Sequence, residues 1–251
     1  MTSIPANPKE LFTGKAEIYA QCRPSYPAEL LKWLQENADL TAVADIGAGT
    51  GIFTAELLKI CGQLTAVEPN QDMRQMFQSF LPQVKCLHGS AEAIPLPDDT
   101  LTLITAAQAF HWFDEEIFRT ECRRLFRPGG QLLLVWNNYK DSPVSQRIKE
   151  VCQKYCPSFR SGHAGARSAE AGDRFLRECY FQTLKLFSCT NPQYRTQKDF
   201  IGDQLSRSYA LPPDSPDHQR YIDELREVFQ QFAVNGILQE NYEVSAYLGM
   251  V

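Results

Sequence analysis

The sequence predicts an α/β fold with a mostly parallel central sheet flanked by helices, followed by a helical lid or accessory segment. Three observations carry this reading. Short apolar runs alternate with helix-spaced segments as far as Trp136, a glycine-rich turn follows the first of those runs, and the alternation weakens beyond Trp136. A β-α-β-α succession is the pattern of a parallel sheet covered on both faces, whose buried strands read as continuous apolar runs.

In chain order the strands are expected at Ala42 to Ile46 (AVADI), Gln63 to Val67 (QLTAV), Val84 to His88 (VKCLH), Leu101 to Ala106 (LTLITA) and Gln131 to Trp136 (QLLLVW). Helices are expected between them at Thr54 to Cys61, Gln71 to Phe80 and Glu115 to Phe126, the last stopped by RPGG at Arg127 to Gly130. A further helix from Val144 to Tyr155 leads into PSFRSGHAGARSAEAGD, whose small residues predict a mobile loop. Beyond it come a strand at Thr183 to Cys189, helices around Gln197 to Ser206 and Asp217 to Phe232, and a last strand near Tyr242 to Leu248.

Composition narrows the class of function. With 251 residues, 43% of them hydrophobic and 22% charged, the chain is long enough for one large core and unlike a disordered or fibrous protein. A net charge of -5 supplies no global field for a phosphate backbone, so the expected partner is a small-molecule substrate and not nucleic acid. No membrane span and no N-terminal targeting signal are legible, and a cytoplasmic location is expected. The eight cysteines form no C-x-x-C unit and read as reduced thiols. Cys152 and Cys156, four apart on a helical face, read as two buried small hydrophobes in preference to metal ligands.

The strongest chemical signal is VADIGAGTGIF. Asp45 and Ile46 end a strand, and Gly47, Gly49 and Gly51 follow at alternate positions before a helix. Glycine lets the backbone approach a ligand closely, and the turn after the first strand of an open α/β sheet sits where nucleotides bind. A dinucleotide fingerprint starting at Gly47 demands glycine at position 52, which is Ile52. Asp45 just ahead of the turn suits a ligand carrying positive charge, not a pyrophosphate. Glu68 ends the second strand about twenty residues on, where a carboxylate accepts both hydroxyls of a ribose.

On these residues the chain resembles the class I S-adenosylmethionine-dependent methyltransferases, specifically the type 11 group that includes trans-aconitate and ubiquinone-biosynthesis methyltransferase-like enzymes. The resemblance spans roughly residues 12 to 139. It implies a Rossmann-like methyltransferase fold, with S-adenosyl-L-methionine as cofactor and S-adenosyl-L-homocysteine as product. A single domain over 1–251 is expected from the chain's length, divided into a cofactor-binding core (12–139), a lid or accessory segment with later sheet elements (140–236) and a last strand (237–251).

The same resemblance distributes roles. The turn of Gly47, Gly49 and Gly51 wraps the amino-acid end of the cofactor, and Asp45 helps position its ammonium. Pro69 and Met73 pack beside ribose and adenine, and Ser90, Ala91 and Glu92 supply the polar loop that meets adenine. Gln108, His111 and Trp112, in AAQAFHWFDEE, match the aromatic-rich segment at the mouth of the methyl site. There Gln108 belongs to the cofactor, while His111 and Trp112 line the substrate cavity and His111 is the candidate general base. Tyr19 and Arg23, in KAEIYAQCRPSYPAELLKWL, match positions that close over the cofactor. Arg23 either offers its planar guanidinium to the methionine carboxylate or lies on a solvated helix face.

One reading comes from charge alone. Between Lys140 and Arg177 basic residues outnumber acidic ones, and Arg160 or Arg167, in the small-residue loop, is a candidate to capture an acceptor carboxylate. The alternative is an ordinary solvated surface. Two other functions remain open on the sequence: a non-catalytic S-adenosylmethionine-binding module, and a nicotinamide-dependent oxidoreductase, which Ile52 and the lack of a Tyr-x-x-x-Lys pair disfavour.

Overall fold

The computed structural model describes residues 14–159 and 169–251. Two helices, α1 (Ala16–Cys22) and α2 (Ala28–Asn37), precede the alternating part: β1 (Ala42–Ile46), α3 (Ile52–Leu57), β2 (Gln63–Val67), α4 (Gln71–Phe80), β3 (Lys85–Leu87), β4 (Leu101–Ala107), α5 (Glu115–Leu125) and β5 (Phe126–Tyr139). Then follow α6 (Pro143–Tyr155), α7 (Ala169–Phe175), β6 (Lys185–Thr190), β7 (Gln193–Arg195), α8 (Gln197–Leu205), α9 (His218–Phe232), β8 (Leu238–Glu240) and β9 (Tyr242–Gly249). The main sheet has the order β3-β2-β1-β4-β5-β9-β6. β1 to β5 pair in parallel, whereas β9 runs antiparallel to both β5 and β6.

Apolar residues occupy successive positions in these strands because both faces are covered. Val43, Leu103, Leu133 and Val135 pack with Leu30 and Leu34 of α2 and with Phe53 and Leu57 of α3. Their neighbours Ala44, Ile104, Leu132 and Leu134 pack on the other face with Phe118, Cys122 and Leu125 of α5. The period of two is therefore present in space although the hydropathy pattern hides it.

Helix starts follow capping chemistry. Asn70 accepts the Met73 N–H at α4, Asp114 accepts that of Ile117 at α5, and Ser142 with Pro143 opens α6 in a reciprocal cap with Ser145. A separate core joins α6, α8 and α9, burying Ile148, Phe200, Tyr221 and Leu225, with Cys152 and Cys156 among them.

Several elements differ from expectation, α3 among them, which spans Ile52–Leu57 where Thr54 to Cys61 is expected. RPGG does end α5, but the chain enters β5 at once, with a register shift between Leu101 and Leu103. The expected small-residue loop is helical over Ala169–Phe175, and its preceding residues 160–168 lie outside the described part. A two-stranded sheet of β7 and β8 was absent from the sequence reading.

This topology places the site. After β3 the chain crosses over β2 and β1 to form β4, so β1 and β4 are neighbours whose following connections leave toward opposite sides. A crevice opens at their carboxyl ends, the usual ligand position of such a sheet. The glycine turn leaves β1 there, and Gln108 to Trp112 leave β4.

Candidate active site

The turn after β1 is left-handed at all three glycines, with φ of +68° at Gly47, +58° at Gly49 and +92° at Gly51. What surrounds them differs. A side chain on Gly51 meets Leu81 at 2.8 Å and Phe77 at 2.9 Å, so this glycine seats the turn against α4. At Gly49 a Cβ meets nothing within 4 Å. That is the open side of the turn, where the backbone is unobstructed.

Glu68 braces the turn from β2. Its two carboxylate oxygens accept the N–H groups of Gly49 and Asn70, each at 2.8 Å. Arg74 of α4 donates to the Glu68 and Pro69 carbonyls at 2.9 and 2.6 Å, locking the bend that follows β2. Burial raises the Glu68 pKa, against the pull of those two N–H donors and of Arg74. The carboxylate thus stands at the rim of the Gly49 opening, with lone pairs beyond those given to the backbone.

Asp45 lies one layer deeper and is 1% exposed. Thr54 of α3 donates to one carboxylate oxygen at 2.6 Å and Thr105 of β4 to the other at 2.7 Å. Burial drives its pKa up to about 6, the two threonine hydroxyls hold it back, and the Glu68 charge adds to the rise. Both partners are neutral, so the carboxylate's negative field is not cancelled by a fixed cation. Thr54 and Thr105, nine and sixty residues from Asp45, carried no sequence signal for this role.

The mouth of the crevice is built on β4. Gln108 has φ +55°, a left-handed conformation unusual for a side-chain-bearing residue. Its N–H donates to the Val135 carbonyl and its side-chain amide to the Asn137 carbonyl, both at 2.8 Å, so β5 holds it in that conformation. A short 3-10 turn, Phe110–Trp112, follows. Phe110 is buried, edge-on to Trp136 at 6.2 Å and to Tyr180 at 5.1 Å. That anchor leaves His111 and Trp112 half-buried, with ring centroids 4.8 Å apart. Ser90 and Ala93 bridge to form the expected polar loop, Ala91 is buried, and Glu92 accepts the Asp114 N–H at 3.2 Å. Met73 is buried on α4, close behind Pro69.

The N-terminal segment closes the turn from outside. Tyr26 lies edge-on to Phe53 at 4.7 Å; desolvation raises its hydroxyl pKa well above the usual range, the charges of Tyr19 and Asp45 add to the rise and that of Arg23 opposes it. The sequence reading passed over Tyr26, although it stands three residues after Arg23. The side-chain amides of Asn137 and Asn191 both donate to the Ser25 carbonyl, pinning this segment to β5. Arg23 stacks over the Tyr19 ring at 4.8 Å, and only 16% of its side chain is exposed. The solvated-face reading of Arg23 is therefore overturned: its guanidinium is folded inward, 3.9 Å from Asp203 of α8.

Arg160 and Arg167 lie outside the described residues. Of the other basic residues in that stretch, Lys140, Arg147, Lys149, Lys154 and Arg177 each make an ion pair, with Glu243, Glu150, Asp141, Glu224 and Asp173 respectively. These pairs are largely exposed and contribute little.

A methyltransferase domain model matches residues 44–134, the span from β1 through β5 that carries the turn, Glu68 and the β4 mouth. Across most of the chain the sequence is 32% identical to an uncharacterized methyltransferase of Mycobacterium tuberculosis, over 218 residues that cover 86% of this chain and 84% of that one. The chain belongs to the class I, type 11 methyltransferase family. Another member, an uncharacterized methyltransferase-like protein of Schizosaccharomyces pombe, is 32% identical over 182 residues, 68% of this chain and 71% of its own.

The methyltransferase fold is matched in solved structures as well. A structure named as a type II methyltransferase from Anaeromyxobacter dehalogenans superposes with a TM-score of 0.69 at 23% identity, covering 91% of this chain and 97% of that one. The chain is accordingly an S-adenosylmethionine-dependent methyltransferase with a mostly parallel, helix-flanked sheet.

Proposed function

We propose that this methyltransferase binds S-adenosyl-L-methionine across the Gly49 opening and transfers its methyl group to a small-molecule acceptor that bears a carboxylate, releasing S-adenosyl-L-homocysteine. The observation that carries the cofactor placement is the pairing of an unobstructed left-handed glycine with a buried acidic rim, Glu68 beside it and Asp45 beneath. A cofactor with a ribose diol at one end and an ammonium at the other fits donors and acceptors of that kind. When bound, it supplies an electrophilic methyl on a sulfonium.

The chain's own residues then have distinct tasks. Glu68 accepts the ribose hydroxyls, and Pro69 and Met73 bound the ribose and adenine. Ser90, Ala91 and Glu92 face the adenine edge. Asp45 acts on the ammonium through the turn it underpins, because its oxygens already hold Thr54 and Thr105. Tyr19 and Arg23 close the roof, and Arg23 meets the methionine carboxylate. Gln108 fixes the mouth, with His111 and Trp112 against the acceptor.

In-line displacement requires nucleophile, methyl and sulfur to be aligned and water to be excluded, so positioning supplies much of the rate. His111 removes a proton if the attacking group is a neutral alcohol or amine and is dispensable if it is already anionic. The proposed setting is cytoplasmic, in keeping with eight free thiols. Among the described residues no helix is long and apolar enough to cross a membrane.

The test is turnover. Purified protein incubated with S-adenosylmethionine and panels of small acids, thiols, phenols and amines should release S-adenosylhomocysteine with the acids and not with buffer alone. Binding without turnover on any panel would reduce the protein to a cofactor-binding module.

A further inference from the structure

The residues between α1 and α2, Arg23 to Pro27, bridge the crevice. Ser25 is held on its β5 side, where the buried amides of Asn137 in β5 and of Asn191 between β6 and β7 donate to its carbonyl at 3.2 and 2.8 Å. Asn137 is also the residue whose carbonyl accepts the Gln108 amide at 2.8 Å, so Ser25 stands beside the β4 mouth. Tyr26 is held on the other side. Its ring packs edge-on to Phe53, in the first turn of α3 and two residues beyond Gly51, and the Ser25 hydroxyl donates to Glu56 of the same helix at 3.1 Å. In the sheet β4 lies between β1 and β5, so these two anchors carry the segment across the carboxyl end of β4.

Pro24 and Pro27 flank Ser25 and Tyr26, each proline fixing its own φ. The bridge is therefore stiff without a ligand. Arg23, at its head, already answers the buried Asp203 in the charged cluster of α8, as do Arg195 and Arg207.

One group on the bridge has no such commitment. Tyr139, Tyr155, Tyr180 and Tyr247 each donate their hydroxyl to a carboxylate or carbonyl oxygen, at 2.5 to 3.1 Å. The Tyr26 hydroxyl makes no hydrogen bond to any described residue, although the residue is half-buried. Tyrosine hydroxyls taken out of water usually find a partner, so this one is a donor in want of an acceptor. Desolvation keeps it protonated at neutral pH.

We propose that Tyr26 is a further cofactor-contacting residue, donating its hydroxyl to the carboxylate of S-adenosylmethionine, and that Asn137 and Asn191 are positioning residues that hold it beside the turn through the Ser25 carbonyl. The assignment rests on the cofactor reading above and adds a neutral donor for the carboxylate given there to Arg23. The acidic turn takes the ammonium, which leaves the carboxylate to the roof. A neutral donor suits that place, because a second cation would also repel the ammonium on the same ligand end.

Calorimetry on the full chain tests it, comparing S-adenosylmethionine with its decarboxylated analogue, which keeps the sulfonium and the amine and lacks only the carboxylate. Wild type should favour S-adenosylmethionine. Tyr26→Phe removes the hydroxyl and keeps the ring, and it should weaken S-adenosylmethionine about tenfold while changing the analogue less than about twofold, as loss of a hydrogen bond to a charged group requires. Asn191→Ala, acting only through Ser25, should weaken S-adenosylmethionine in the same selective sense, whereas a merely structural role would weaken both ligands alike. If the alanine variant does not fold, Asn191→Ser decides by the same criterion. The proposal is overturned if Tyr26→Phe binds S-adenosylmethionine as tightly as wild type, if it loses both ligands equally, or if wild type binds the two alike. A selective loss in Tyr26→Phe with an unselective one at Asn191 overturns the positioning role of the amides. A wild type that binds neither ligand overturns the cofactor reading and this one together.

Discussion

The glycine turn and the α8 cluster are both buried and charged, yet they solve the burial of charge in opposite ways. Asp45 is satisfied by two neutral hydroxyls, and Glu68 by two backbone N–H groups, so negative potential persists around the turn. Asp203 instead sits within 4 Å of three guanidinium groups and its surroundings are net positive. The segment from Tyr19 to Tyr26 separates the two. Hydrogen bonds from neutral groups satisfy geometry without cancelling charge, whereas ion pairs do both. An acidic turn suits a cationic ligand, whereas the α8 cluster answers its cations with its own carboxylates.

The largest break in this comparison comes from the open glycine. Gly49→Val places a branched side chain at φ +58° in the space a ligand needs, and binding of S-adenosylmethionine should fall below detection in calorimetry. The left-handed φ costs the variant some stability, but with no collision to add to it, because a Cβ there meets nothing within 4 Å. Gly51→Ala should do the reverse in a melting experiment, losing stability first, since its Cβ collides with Leu81 and Phe77. If both variants lost stability equally and Gly49→Val kept the cofactor, the ligand would not lie over this turn.

Next in size is Glu68→Ala, which removes the rim carboxylate and the acceptor of the Gly49 and Asn70 N–H groups. Cofactor affinity should drop at least tenfold, since hydrogen bonds to a charged group contribute about 1.5 to 3 kcal/mol each. An unchanged dissociation constant in a folded variant would take Glu68 out of the site.

The smallest effect carries the most diagnostic sign. Asp45 has a folded pKa of about 6, above its unfolded value of 3.8, so the folded state binds its proton more tightly. Stability from this group is full below pH 4, falls as pH rises through about 6, and is lacking at neutral pH by about 3 kcal/mol. Asp45→Asn should therefore raise the melting temperature at pH 7.5 and not at pH 4, while weakening the cofactor. A variant that melts lower than wild type at pH 7.5 would mean that the carboxylate is held there by more than the two threonines.

The glycine turn and the strands around it were legible in the sequence because their signals are local. β1, β2 and α4 match their expected spans end for end, since each is a short apolar or periodic run closed by Gly, Pro or an Asn cap. Glu68 could be singled out from its place at a strand end. Its second use, bracing the Gly49 N–H nineteen residues away, could not. The charged cluster at α8 was invisible because it joins residues far apart in the chain, such as Lys15 and Arg207, 192 positions apart, and because charge counted along the chain pointed to the surface at Lys140 to Arg177 instead. β7 and β8 are three residues each and polar, too short to show a period.

If the acidic turn takes a cationic sulfonium cofactor and not a dinucleotide, calorimetry of the wild type with S-adenosylmethionine and with NAD will show it. Saturable binding of S-adenosylmethionine, with no heat from NAD at the same concentrations, is the predicted result. Binding of NAD in preference to S-adenosylmethionine would mean that the glycine turn is a dinucleotide site.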